Sequence, residues 1–144
     1  MNPSMEFAQK FMVAYNARFK PLCQALKLPQ TALDILLFLA NNPCYDTASD
    51  IVEIRKLKAN LVSVNVEKLV REGYLRREMV EGDRRKIRLR CTERARPVIE
   101  QGRAVQNAFF EQLLSGLAPG QRRVFLQTLE CMSQKLDTIL EGET

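Results

Sequence analysis

The 144-residue chain contains no histidine. Without an imidazole, Ser–His and Cys–His nucleophile pairs are excluded. Its four cysteines, Cys23, Cys44, Cys91 and Cys131, are scattered and form no C-x-x-C pair. Their spacing gives no sign of a metal site, and reduced, mostly buried thiols are the expectation. No apolar run approaches the ~18 residues that a membrane span needs. The start, Met1-Asn2-Pro3-Ser4-Met5-Glu6-Phe7, lacks the basic opening and apolar centre of a signal peptide. A cytoplasmic protein without membrane contact is therefore expected. A Gly-rich phosphate loop is missing as well, and acids occur singly rather than as a convincing pair. Neither an enzyme nor a cofactor is expected.

What is present is positive charge in one place. The chain carries 22 Lys+Arg against 17 Asp+Glu. Between Arg55 and Arg96 the basic residues number 14 and the acidic ones 6, for a net +8, whereas the remainder is net −3. Such asymmetry points to nucleic acid, or less often to an acidic membrane surface. Within this segment, residues 81–92 read E-G-D-R-R-K-I-R-L-R-C-T. Ile87, Leu89 and Cys91 alternate with charges after a Gly-Asp turn, which is strand periodicity. Residues 74–80 form the opposing strand, so a hairpin with a cationic tip is predicted.

Helical spacing places a first helix over residues 4–26, with Pro21 kinking or breaking it. A second, over residues 30–40, is apolar nearly all round through Leu33, Leu36, Leu37 and Leu39, the mark of a buried helix. Thr47-Ala48-Ser49-Asp50 is a capping-box pattern opening a short third helix, and Tyr45-Asp46 before it can form a third strand. Arg55-Lys56-Leu57 is then a turn into a fourth helix, residues 58–72, stopped at Gly73. Two helices joined by a short turn and followed by a hairpin outline a winged helix-turn-helix. Thr92 is an apt N-cap for a long fifth helix. Ala118-Pro119 opens a sixth, with proline where its missing N–H costs nothing.

The fold class is thus mainly α with a small β-hairpin wing: a winged helix-turn-helix flanked by N- and C-terminal dimerisation helices. We expect residues 1–144 to form one domain, with residues 30–92 as the winged-helix lobe and residues 1–28 and 93–144 as dimerisation helices. The long apolar faces outside the lobe suit a symmetric dimer; packing back onto their own core as a monomer is the alternative.

The order helix, helix, helix-turn-helix, wing, two long helices resembles the MarR family of bacterial transcription regulators. Asp83-Arg84-Arg85 leading to Thr92-Glu93 is similar to that family's wing signature. Leu69 to Leu75, L-V-R-E-G-Y-L, resembles its exit from the recognition helix, and Ala118-Pro119 matches its break before the final helix. The resemblance covers nearly the whole chain. It implies a homodimer that grips pseudo-palindromic double-stranded DNA and usually represses. It also implies DNA release when a small amphipathic or aromatic effector enters a cleft between the dimer helices and the DNA-binding lobe.

Affinity for DNA comes from cations against phosphates, and specificity from base edges. On the fourth helix Leu61, Val62, Val66, Leu69 and Val70 are assigned to the core. Lys58, Ala59, Asn60, Ser63, Val64 and Glu67 are assigned to the exposed face. Lys58 and Asn60 lie at the end that enters the major groove. Asn60 suits an adenine edge or serves as a local cap; Ser63 suits a base or a phosphate; Val64 suits a thymine methyl. Asn65 is either a partly buried polar group with a local partner or a base reader. In the wing, Arg85 is the candidate for the minor groove, and Asp83 fixes the turn by pairing with Arg84 or Arg85. Arg84, Lys86, Arg55 and Lys56 are phosphate candidates. Arg88 and Arg90 are expected to pair with acids across the sheet. A cysteine early in the first helix, which peroxide-sensing relatives of the family use, is missing here, and Cys23 and Cys91 are read as packing residues. The competing reading is a winged-helix protein-interaction module without DNA binding.

Overall fold

A computed structural model describes residues 2–142. The elements run α1 (Pro3–Leu26), α2 (Gln30–Asn41), α3 (Ala48–Arg55), α4 (Ala59–Arg71), β1 (Leu75–Val80), β2 (Asp83–Cys91), α5 (Ala95–Leu114) and α6 (Pro119–Gly142). The described residues form two compact units that divide between Asn107 and Ala108.

The first unit is built round α2. Seven of its twelve residues are buried, Ala32, Leu33, Ile35, Leu36, Leu37, Phe38 and Leu39, because α1, α4 and β2 all pack on it. Phe19 of α1, Ile51 of α3, Val62 and Leu69 of α4, and Leu75 and Leu89 of the hairpin join the same core. The start of α5 closes it through Ala95, Val98 and Ile99. Farther along α5, a Cβ placed on Gly102 would meet Leu37 Cδ2 at 2.9 Å. A side chain there would push α5 off α2.

Several expectations needed correction. Pro21 lies inside α1, yet the helix runs unbroken from Pro3 to Leu26. It ends at Lys27, which takes the left-handed conformation (φ 57°) while Leu28 N–H donates to Cys23 O. Tyr45-Asp46 forms no third strand. The sheet has two strands, and the contact is one backbone bond from Leu89 N–H to Asp46 O, 2.7 Å. Thr92 does not cap α5. Its hydroxyl donates to Gly73 O at 2.6 Å and its N–H to Tyr74 O at 3.1 Å, so it ties the hairpin's base to the end of α4. Leu61 is 40% exposed while Asn65 is buried. The inward stripe of α4 is Val62, Asn65, Val66 and Leu69, with Val70 packed beside it, so Leu61 is the one expected core residue that faces out. Asn65 is tolerated because its Nδ2 donates to Leu61 O at 2.8 Å. In the wing Ile87 is 41% exposed, so the apolar face is covered only towards Leu89. Cys44 and Cys131 are exposed, while Cys23 and Cys91 are half-buried and pack against the core.

In the second unit Pro119 opens α6 and Ala118 N–H donates to Gln121 Oε1 at 3.0 Å. None of the 24 residues of α6 is buried. Leu129, Met132, Leu136 and Ile139, spaced by three and four, are all exposed.

Candidate nucleic-acid interface

The helix-turn-helix is fixed at its start by a full capping box. Thr47 Oγ1 accepts from Asp50 N–H at 3.1 Å, and Asp50 Oδ2 accepts from both Thr47 N–H and Asp46 N–H. The turn out of α3 is Lys56, held in the left-handed conformation (φ 56°). Lys58 follows as the N-cap of α4 and makes no side-chain capping bond, since an ammonium has no acceptor to offer the helix N–H groups. Asn60 lies one residue inside α4, after the N-cap Lys58, and its Oδ1 accepts from Leu61 N–H at 2.9 Å. Its Nδ2 makes no hydrogen bond among the described residues. Ser63 and Val64 are exposed, Val64 to 67%. One turn on, Glu67 accepts from Arg77 at 2.8 Å. That bond lowers the carboxyl pKa of Glu67, first by the hydrogen bond and then by the guanidinium charge, and it clamps α4 to β1.

The wing turns at Glu81-Gly82, with Val80 opposite Asp83. Gly82 has φ +84°, a conformation that other residues adopt only with strain. Asp83 Oδ1 accepts from the backbone N–H of Arg85 at 3.0 Å. It therefore shapes the turn through the main chain rather than through a guanidinium. Beyond the tip the cations divide into two groups. Arg88 and Arg90 both approach Asp46 at 3.5 Å, and Arg90 also approaches Glu78. Asp46, in the loop before α3, thus anchors β2 with two side-chain contacts and one backbone bond. By contrast Arg84, Arg85, Lys86, Lys58, Lys56 and Arg55 have no ion-pair partner among the described residues. All six are exposed. Structural cations are neutralised in place, and the proposed DNA cations are left free.

A groove of about 510 Å³ lies between α3, α4 and the wing, with Ser49, Ser63, Arg77 and Ile87 in its lining. A recess of about 460 Å³ beside it brings Asp83, Arg85 and Lys86 up to Thr47 and Ser49 at the start of α3. Arg55 opens instead onto a separate cavity shared with Asp34. Sequence reasoning missed Asp46, the Glu67–Arg77 clamp and Asp34. Of these only Asp34 carried a signal, a lone acid between Leu33 and Ile35 in an otherwise apolar helix. Groups of three or more His, Cys, Asp or Glu suited to a metal ion do not occur among the described residues.

Among curated proteins, none matches the chain significantly in sequence. Solved structures match it well. A MarR protein from Peptoclostridium difficile is 18% identical, with 97% of this chain and 91% of that one covered, at a TM-score of 0.85. A MarR-family transcriptional regulator from Silicibacter pomeroyi is 25% identical over 90% of this chain and 87% of that one, at 0.74. A MarR-family regulator from Listeria monocytogenes, in complex with 26mer DNA, is 13% identical over 94% and 90%, at 0.84. The sequence profile of the MarR family matches residues 26–86, from the end of α1 to the wing. Members of the family are transcriptional regulators, not enzymes. Residues 26–86 thus match the MarR family, and the chain as a whole has the fold of that family's transcriptional regulators.

Proposed function

We propose that the chain is a cytoplasmic, homodimeric regulator that binds a pseudo-palindromic DNA duplex sequence-specifically, acting as a repressor released by a small effector. The observation that carries this reading is the set of unpaired, exposed cations on the turn, the start of α4 and the wing, Lys56, Lys58, Arg84, Arg85 and Lys86, together with the exposed Asn60, Ser63 and Val64. In this reading Lys58, Asn60, Ser63 and Val64 face base edges from the start of α4. Arg85 enters the minor groove, and Arg55, Lys56, Arg84 and Lys86 meet phosphates, with Asp83 holding the turn. The Listeria neighbour bound to 26mer DNA supports it. Residues 30–92 act as the DNA-binding lobe, and residues 1–28 and 93–144 as dimerisation helices.

The test is fluorescence anisotropy of a labelled duplex from upstream of the gene, against a scrambled duplex, at low and near-physiological salt. Arg85→Ala is expected to weaken binding by about tenfold, or ~1.4 kcal/mol. No binding to any duplex at low salt would leave the protein-interaction module as the better reading.

A further inference from the structure

The cavity shared by Asp34 and Arg55 lies within the first unit and has a volume of about 200 Å³, and its polar lining is Tyr15, Asp34, Asn41, Asn42, Arg55 and Gln106. We propose that this cavity binds a small zwitterion of α-amino-acid type, its ammonium on Asp34 and its carboxylate on Arg55. The proposal deepens the effector half of the proposed function and rests on that reading only for its consequence at DNA.

The argument begins with a juxtaposition. An acid and a base line one small cavity and sense each other's charge, yet they form no ion pair among the described residues. Opposite charges left unbridged across a gap match a molecule that carries both signs. The Asp34 carboxyl is half-buried and accepts no hydrogen bond among the described residues. Burial raises its pKa to about 6, against the opposing pull of Arg55. An uncompensated buried acid costs stability, and such groups gather at functional sites.

The walls are already positioned. Gln106 Nε2 donates to Tyr15 Oη at 3.0 Å, Arg103 Nε to Asn41 Oδ1 at 2.9 Å, and Asn42 Nδ2 to Phe38 O at 2.9 Å. Leu37 and Phe38 supply an apolar part. At ~30 Å³ per water the space holds roughly six or seven waters, below the size of drug-like sites, so the side chain of the ligand must be small. Arg55 is the last residue of α3 and Lys56 after it makes the left-handed turn into α4. A ligand that draws on Arg55 therefore pulls on the hinge of the helix-turn-helix.

Titration calorimetry on the full chain at pH 8, without DNA, tests the site with each standard L-amino acid. The tightest is then compared with its decarboxylated amine and its deaminated acid. At least one small amino acid is expected to bind with Kd below about 1 mM. Each half-molecule, and each of the variants Asp34→Asn and Arg55→Gln, is expected to bind at least about tenfold more weakly. No binding by any amino acid at tenfold higher concentration would overturn the proposal. So would half-molecules that bind as well as the whole, or an Asp34→Asn chain, folded by circular dichroism, that binds unchanged. The anisotropy assay separates the two readings. Amino-acid binding by a chain that ignores DNA leaves this site standing and removes the regulator; DNA binding with no amino-acid binding does the reverse.

Discussion

At the residue scale the chain sorts its charges by what surrounds them. Arg88 and Arg90 share Asp46, Arg77 holds Glu67, and Arg84 to Lys86 stay free. Asp34 is the costly exception. Its proton is held more tightly in the folded chain, with a pKa near 6 against 3.8. The folded state therefore binds more protons than the unfolded one between those values. Stability falls as pH rises from about 4 to about 6, and the deficit persists above. Asp34→Asn should remove this cost, raising stability at pH 8 by roughly 1–3 kcal/mol and flattening the profile between pH 4 and 6. Urea unfolding at pH 5 and pH 8 measures both. A variant less stable than the parent at pH 8 would mean that the carboxylate has a favourable partner in solution.

At the scale of elements, the wing is held by its base rather than by its tip. Thr92 ties it to Gly73 and Tyr74, Asp46 takes two arginines, and Leu89 N–H reaches Asp46 O. Asp46→Ala should cost about 1 kcal/mol, since the arginines it holds are more than a third exposed. The same change should speed hydrogen exchange across β2, from Arg84 to Arg90, while the amides of α2 keep their protection. Unchanged exchange in β2 would show that the backbone bonds suffice. The boundaries of α3, α4 and the hairpin were legible within a residue or two, because capping box, left-handed turn and Gly-turn chemistry act over four or five neighbours. On the inward face of α4, Val62, Val66, Leu69 and Val70 were legible and Leu61 was misassigned; of the two readings of Asn65 the structure favours the buried one, since its amide donates to Leu61 O.

At the scale of the whole molecule the surplus is apolar surface. α6 buries none of its 24 residues, and Met5, Phe7, Met12 and Val13 are exposed on α1. Exposed faces of this extent mark an interface, which the proposed homodimer covers. Leu136→Glu places a charge on the α6 stripe and should shift the sedimentation coefficient from dimer towards monomer at micromolar concentration. A parent chain that sediments as a monomer would refute the dimer outright.

The sequence by itself determined the element order, the cationic hairpin and the free face of α4. Each of these is written in short-range periodicity, caps and turn residues. Only the tertiary structure decided that Asp46, outside the sheet, is an acid that takes both Arg88 and Arg90, that Thr92 clamps the wing instead of capping α5, and that Asp34 and Arg55 face one cavity. Those outcomes depend on side chains far apart in the chain, such as Tyr15 and Gln106. Packing brings them to hydrogen-bonding distance, and no local pattern records their approach.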